Sequence, residues 1–155
     1  PPPLQADDGI RDWQYCLVGS EMCIRDRYKM AIEHNPKSAD AHSNLATAYL
    51  HQDRIEDALR EYRIAVKHAG RDGYVYHRLG VVYLRLGRHE EAIEQFRKAI
   101  SKEPELADAH FHLGECYRTL GNEEKAIEHF EATLEIDPNF IAARTKLDRL
   151  TEAPR

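Results

Sequence analysis

The sequence predicts an all-α chain arranged as an α-solenoid: a half repeat, three full helix-turn-helix hairpins and a C-terminal capping helix. Three observations predict this class. Similar residues return every 34 positions, apolar residues within each stretch follow helical spacing, and Gly or Pro marks the ends of those stretches. A period of this length is typical of arrays that bury their apolar surface by stacking one unit on the next.

The repeat is visible as columns of similar residues. Each column keeps one kind of side chain: Leu, Tyr, Ala, an aromatic ring or Pro. The columns are Leu45, Leu79, Leu113 and Leu147; Tyr49, Tyr83 and Tyr117; Ala58, Ala92 and Ala126; Tyr28, Tyr62, Phe96 and Phe130; and Pro36, Pro104 and Pro138. So many registered positions are hard to reach by chance, which indicates one continuous array.

The first helix of each hairpin carries Leu and Tyr one turn apart on a single face. In the middle unit these residues are Leu79 and Tyr83, and Gly80 is the small residue where a neighbouring helix crosses closely. Ala46 and Gly114 occupy the same small position in the flanking units. The pattern predicts first helices over 39–52, 73–86 and 107–120.

The second helix pairs a small residue with a ring four positions later, as Ala92 and Phe96 do in the middle unit. This alternation lets two helices interdigitate at a short axial distance. Gly87 follows the first helix, where a left-handed C-cap is expected, and Pro104 and Pro138 end the second helices. The predicted second helices span 55–69, 89–102 and 123–136.

These motifs resemble the tetratricopeptide repeat (TPR) family, whose pattern is W-x2-L-G-x2-Y, A-x3-F and P. The resemblance covers the chain from Tyr28 onward and implies a right-handed solenoid with a concave surface lined by first helices. The first full unit departs most, because Asp53 stands at the Gly position and Gly70 at the Pro position. At the position of the family's Trp the chain has His42, Tyr76 and His110.

The repeat length divides the array into a half repeat, 28–38, full repeats 39–72, 73–106 and 107–140, and a capping helix, 141–151. The half repeat keeps only about two turns of a second helix, Tyr28 to His34, which is too short to be stable alone. We therefore expect the native protein to extend upstream, because a truncated hairpin exposes the face its partner would cover.

Residues 1–27 lie outside the repeat pattern. Leu17 to Asp26 reads LVGSEMCIRD, which resembles a translated sequencing-library adapter, and Gln5 to Asp12 differs only at Asp7 from a translated flow-cell primer. We interpret this segment as adapter-derived and non-native, and we assign its cysteines no function.

Composition argues against several functional classes. The formal charge is −5, and without the five acidic and three basic residues of the first segment the array carries 22 acids and 19 bases. Such a balance offers no broad basic surface for nucleic acid, and no apolar run reaches the roughly 18 residues of a membrane span. We expect no nucleic acid, membrane or cofactor, and a cytoplasmic location by default.

The best metal-like constellation is His110, His112 and Cys116 on one predicted helix. Cys116 occupies a packed position equivalent to Ala48 and Val82, so a small buried hydrophobe is the simpler interpretation. A structural zinc site also requires four well-placed ligands. Phosphate loops and nucleophile elbows are absent from the sequence, so we predict neither a metal site nor an enzyme.

The family resemblance assigns the concave groove to particular columns of the first helices. The predicted groove residues are Ser43, Asn44, Thr47, His51, Tyr74, His77, Arg78, Val81, Arg85, Phe111, His112 and Glu115, with Asp40 and Asp108 on the same surface. Tyr74 and Phe111 would supply apolar area, and Arg78 and Arg85 would bind carboxylates. We therefore predict a protein-interaction scaffold that binds a peptide or a partner helix in this groove.

Three other functions fit the sequence less well. Some TPR proteins clamp the C-terminal carboxylate of chaperones; Asn44 and Arg78 match two clamp columns, but Tyr74 stands where Lys is required, so we predict weak or absent binding. The alternative is a substrate-recognition arm of a larger TPR-fused glycosyltransferase, methyltransferase or sulfotransferase. RNA binding ranks last, because the groove contains acids.

Overall fold

The computed structural model describes residues 21–152, which are helical throughout apart from short turns and contain no strand. Eight helices follow one another in this part of the chain. They are α1 (Glu21–His34), α2 (Ala39–His51), α3 (Ile55–His68), α4 (Gly73–Arg85), α5 (His89–Lys102), α6 (Ala107–Thr119), α7 (Glu123–Ile136) and α8 (Ile141–Thr151). The predicted all-α class is confirmed, and the bounds of α2 to α8 agree with the predicted helices to within one residue.

The helices pack in the order in which they occur in the chain. The pairs α2–α3, α4–α5 and α6–α7 form three hairpins, and each hairpin also contacts the next, with α4 touching α6 across the intervening helix. Most contacts therefore join neighbours in the sequence, as a stack of repeats requires.

Helix α1 is longer than predicted. It begins at Glu21 and runs without a break to His34, where the sequence predicts about two turns from Tyr28. The stretch EMCIRDRYKM contains good helix formers and neither Gly nor Pro, so a helix anchored by Tyr28 and Ile32 on the core extends readily toward the N-terminus. The predicted adapter origin of 1–27 stays a prediction, and residues 1–20, with Cys16, lie outside the described residues.

The core is a row of rings set against small residues. Phe96 and Phe130 are fully buried. A Cβ atom added to Gly80 would lie 2.5 Å from Cε1 of Phe96, and one added to Gly114 would lie 2.8 Å from Cε1 of Phe130. The prediction that these helix crossings require small residues is therefore confirmed.

The turn after each first helix passes through a left-handed residue. Gly87 has φ of 70°, and Asp53 has φ of 56° at the equivalent place. In both turns the next residue donates its N–H to a Tyr carbonyl at 2.9 Å, Arg88 to Tyr83 and Arg54 to Tyr49. Asp tolerates this conformation better than most residues with a Cβ, so the first hairpin keeps the turn despite lacking Gly.

The histidines at the family's Trp position tie the first helices α2 and α6 to the turns before them. Nε2 of His42 lies 3.1 Å from the carbonyl oxygen of Pro36, and Nε2 of His110 lies 3.2 Å from that of Pro104. Polar ring atoms at this position therefore satisfy carbonyls that the turn leaves free.

Candidate functional site

The predicted groove corresponds to a row of first helices, α2, α4, α6 and α8, which side-chain contacts join in sequence. Arg78 donates to Oγ1 of Thr47 at 3.0 Å, which links α4 to α2. His77 stacks on His112 with ring centroids 5.3 Å apart, which links α4 to α6. Lys146 of α8 donates to Glu115 of α6 at 3.0 Å. We call the surface that these four helices share the inner face.

The predicted groove residues differ in how much of each reaches solvent. Exposed are Asn44, His51, Tyr74, Arg78 and Arg85, and partly buried are Thr47, His77, Val81, Phe111, His112 and Glu115. Ser43 is only 7 % exposed. A side chain this short is covered by its larger neighbours, so Ser43 offers a ligand almost no surface, contrary to its predicted place in the groove.

At the α2–α4 end the inner face is polar and held by hydrogen bonds on one hydroxyl. Thr47 donates from Oγ1 to the carbonyl of Ser43 at 2.9 Å, and its Oγ1 lies 2.7 Å from the hydroxyl of Tyr62. Because the Thr47 proton is already used, Tyr62 and Arg78 are the donors to this oxygen. The network orients Arg78 across the inner face.

Two arginines on α4 are exposed and form no ion pair with a described residue. Arg78 and Arg85 are exposed, and neither forms an ion pair with any residue between 21 and 152 that the structure describes. Tyr74, one turn before Arg78, is 54 % exposed. A large apolar ring beside unpaired guanidinium groups can contact a ligand that presents both apolar surface and carboxylates.

In the middle of the inner face lies an aromatic and imidazole cluster. The ring of His77 is 5.7 Å from Phe96, and that of His112 is 5.6 Å from Phe96 and 5.5 Å from Phe111. Burial lowers the pKa of His77 to about 4, with a smaller effect from His112. Burial also lowers the pKa of His112, against the opposing effects of Asp108 and Glu115. Both imidazoles are therefore neutral at pH 7.

At the α6–α8 end, helix α8 covers part of the inner face. The Phe111 ring packs against Phe140 at 4.9 Å, and Glu115 bonds both Arg118 at 3.1 Å and Lys146 at 3.0 Å. Phe111 and Glu115 thus contribute mainly to packing of the capping helix. These contacts were not predicted from the sequence, although Lys146 follows Glu115 by the same number of residues that separates Arg78 from Thr47.

The metal-like constellation does not assemble. His110 faces His129 of α7 at a centroid distance of 5.6 Å, whereas His112 faces His77 of α4. Cys116 is fully buried, and burial raises the pKa of its thiol to about 12, so the thiol stays protonated. Among the described side chains, those of residues 24–152, no three His, Cys, Asp or Glu come close enough to hold a metal ion.

The described helices are all too short or too polar to cross a bilayer. This finding holds for each of α1 to α8, whose lengths run from 11 to 14 residues. A helix that spans the hydrocarbon core needs about 20 predominantly apolar residues.

Comparison with known proteins gives consistent similarities. Two tetratricopeptide repeat models match the chain, one over residues 37–102 and one over 77–139. The crystal structure of MamA superposes with a TM-score of 0.81 at 25 % identity, covering 94 % of this chain and 84 % of that one. A search of curated proteins found no match.

Two further solved structures share the fold at lower identity. The first TPR of Spaghetti (RPAP3), bound to HSP90 peptide SRMEEVD, superposes with a TM-score of 0.72 at 20 % identity, covering 75 % of this chain and 92 % of that one. YrrB, described as a TPR protein with an unusual peptide-binding site, gives 0.73 at 24 % identity, over 81 % and 65 %.

Proposed function

The chain belongs to the tetratricopeptide repeat family, and we infer that it is a protein-interaction module whose inner face binds an extended peptide or a partner helix. The observation that carries this proposal is the exposed Tyr74 beside the unpaired Arg78 and Arg85 on α4. Two proteins of the same fold, the Spaghetti TPR and YrrB, are described with a bound peptide and a peptide-binding site.

The chemistry of the α2–α4 end defines the ligand. Arg78 and Arg85 lie seven positions apart on one helix, which places their Cα atoms about 10 Å apart along the axis. An acidic ligand can reach both arginines, while the Tyr74 ring covers an apolar side chain between or beside the carboxylates. Asn44 on α2 adds an exposed amide that can bond the ligand backbone.

The proposed ligand is not the C-terminal tail of a chaperone. Tyr74 replaces the Lys that the clamp requires. Without that second positive charge, an acidic side chain or an internal segment suits the site better than a free C-terminal carboxylate. We expect a chaperone tail peptide to bind weakly or not at all, and micromolar binding that Arg78→Ala abolishes would contradict this expectation.

No catalytic role is proposed for this chain. Its one cysteine within the fully described part, Cys116, is buried and protonated, and a thiol in that state is a poor nucleophile. The groove residues Arg78, Arg85 and Tyr74 suit binding rather than bond-making chemistry.

The test starts from peptides selected by phage display on the purified chain. Their affinity is measured by fluorescence anisotropy for the unmodified protein and for Tyr74→Ala with Arg78→Ala. We expect at least a tenfold loss, because truncating an aromatic and an Arg anchor removes two principal contacts. The matched control is Arg63→Ala, an exposed arginine on the second helix α3.

The control variant is expected to bind as well as the unmodified protein. Equal losses in Arg63→Ala and in the Tyr74 and Arg78 pair would indicate nonspecific charge attraction. Peptides whose binding ignores both changes would place the site away from the α2–α4 end and contradict the proposal.

A further inference from the structure

In the first and third hairpins, a histidine of the first helix, His42 or His110, contacts a residue of the second helix. That second-helix position is Glu61 in the first hairpin, Gln95 in the second and His129 in the third. In the first hairpin, Nδ1 of His42 donates to Glu61 at 2.7 Å, and both nitrogens of that ring have acceptors. The first hairpin therefore places a carboxylate beside this imidazole.

The third hairpin replaces the carboxylate by a second imidazole. His110 and His129 face each other with ring centroids 5.6 Å apart, and His129 also stacks on Tyr117. Nδ1 of His110 and Nδ1 of His129 are both buried, and neither has a hydrogen-bond partner within the described part of the chain. A proton added here meets an imidazole instead of an anion.

Helix α6 carries a second histidine contact on its other side. His112 of α6 stacks on His77 of α4 at 5.3 Å with an angle of 27° between the rings. Nε2 of His77 is buried and likewise has no hydrogen-bond partner among the side chains and backbone that the structure describes. Two histidines of one helix therefore each contact a histidine of a different neighbour.

Few surrounding charges compensate for protonation at these contacts. His77 and His112 face Asp108, which favours their charged forms, while Arg78 opposes charge on His77. Glu115 also faces His112, but it is already bonded to Arg118 and Lys146.

The His129 side of α6 has a similar balance. His129 faces Glu128, which favours its charged form. His110, Arg97 of α5 and Lys125 of α7 oppose that charge. A surface depression of about 440 Å³ borders His129 between α5 and α7.

We propose that α6 is an acid-sensitive element of the array: protonation of the histidines on its two sides weakens its packing against α4 and α7 below neutral pH. The consequence is loosening of the third hairpin while the first hairpin, with its His42–Glu61 pair, stays intact. The inner face then loses the wall that α6 supplies.

The direction of the effect follows from proton binding in the folded and unfolded states. Burial lowers the pKa of His77 from 6.5 to about 4, and burial also lowers the pKa of His112 and of His129. The unfolded chain therefore binds more protons between pH 6.5 and 4, and stability that is complete above 6.5 falls as the pH drops through this window. At pH 5.0, His77 alone lowers the folded-to-unfolded ratio about 30-fold.

The experiment compares unfolding in urea, and amide hydrogen exchange in α2 and α6, at pH 7.5 and 5.0. We expect acid to increase exchange in α6 far more than in α2. In the double variant His77→Gln with His129→Gln, most of the acid-induced difference in exchange between α2 and α6 is expected to disappear. The acid-induced change in the unfolding equilibrium constant is expected to be at least tenfold smaller than in the unmodified chain. The matched control removes two exposed histidines, His51→Gln with His68→Gln, and is expected to behave as the unmodified chain.

The first hairpin suggests a more specific variant of the third. His129→Glu installs the carboxylate of the first hairpin, and the new His–Glu pair is expected to reduce acid sensitivity in α6 more than His129→Gln does.

A measurement on the unmodified chain covers the case in which a variant fails to fold. Titration of the histidine C2 protons by NMR is expected to place the pKa values of His77 and His129 below the ordinary histidine value. Ordinary pKa values for both residues, or equal acid-induced exchange in α2 and α6, would overturn the proposal.

Discussion

The first and third hairpins use equivalent positions with different residues, yet they build the same helix crossing. In the first hairpin, α2–α3, the small residue is Ala46 and the fully buried ring is Tyr62. In the third hairpin, α6–α7, the small residue is Gly114 and the ring beside it is Phe130. Tyr62 adds a hydroxyl, which bonds Thr47. The comparison teaches that the repeat preserves a small residue and a ring at each crossing but leaves their polar atoms free to vary.

The same two hairpins differ more on the inner face. Beside the first, Arg78 reaches across to Thr47 and stays exposed. Beside the third, α8 covers the surface through Phe140 and Lys146. Equivalent columns thus serve an open, polar surface at one end and a packed cap at the other, so binding has to be assigned hairpin by hairpin.

The strongest test of the shared crossing removes its ring. Phe130→Ala leaves a cavity beside Gly114, and we expect a loss of about 3–5 kcal/mol in the free energy of unfolding, measured in urea. The control is Tyr74→Ala at a 54 % exposed position, which is expected to change stability by less than about 0.5 kcal/mol. A loss below about 1 kcal/mol for Phe130→Ala would show that the third hairpin repacks and that the crossing tolerates a smaller residue.

A second test adds one methyl group to the third hairpin. Gly114→Ala places a Cβ 2.8 Å from Phe130, and we expect a net loss of about 1–2 kcal/mol after allowing for the better helix propensity of Ala. The reverse change in the first hairpin, Ala46→Gly, is expected to cost about 1 kcal/mol through propensity. Urea unfolding of both variants decides the point, since a stabilised Gly114→Ala would refute the steric account.

A third test makes the first hairpin resemble the others. Tyr62→Phe installs the ring that Phe96 and Phe130 supply elsewhere, and loss of the hydroxyl bond to Thr47 is expected to cost about 0.5–1.5 kcal/mol. A double-mutant cycle with Thr47→Val measures this interaction in the unfolding free energy. A coupling energy of zero would mean that the bond contributes nothing to the difference between the hairpins.

The smallest effect concerns the cap. Burial acts to raise the pKa of Glu115, but hydrogen bonds from Arg118 and Lys146 outweigh it and lower the pKa below the ordinary value. The ion pairs therefore stabilise the fold above pH 4.5 and lose their effect as the pH falls through the folded pKa. Lys146→Ala is expected to raise the pKa of Glu115 and to cost at most about 1 kcal/mol.

The control for the cap is Lys98→Ala, which removes an exposed partner of Glu94 and is expected to leave Glu115 unchanged. Carboxyl carbon titration by NMR follows Glu115 in both variants. A Glu115 titration that Lys146→Ala does not move would show that Arg118 alone perturbs the carboxylate, and that α8 adds no charge pairing to the inner face.

Most of the helical framework was predictable, because it depends on spacings within one or two turns. Leu79 with Tyr83, and Ala92 with Phe96, each lie on one helix face, and the steric limits at Gly80 repeat from unit to unit. The length of α1 was not predicted. The predicted start at Tyr28 came from the repeat pattern, whereas the observed start depends on the helix propensity of the residues before Tyr28.

The inner face was predicted only in part. The residues lie on the predicted first helices, but Ser43 is covered, and Phe111 and Glu115 pack against α8. The contact of His110 with His129 was also missed, although Glu61 and His129 occupy equivalent positions. The contacts of all these residues depend on distances between neighbouring helices, and the residue types at equivalent repeat positions do not indicate those distances.

By itself, the sequence determined the helical class, the hairpin order and the small and large positions of the core. These properties follow from periodicity along one chain and from side-chain volumes at each crossing. Only the tertiary structure decided that Arg78 bonds Thr47, that α8 covers Phe111, and that α6 lies between two histidine contacts. The physical reason is that hydrogen bonding and burial depend on how neighbouring helices approach in space, and the same column can meet an anion, an imidazole or solvent.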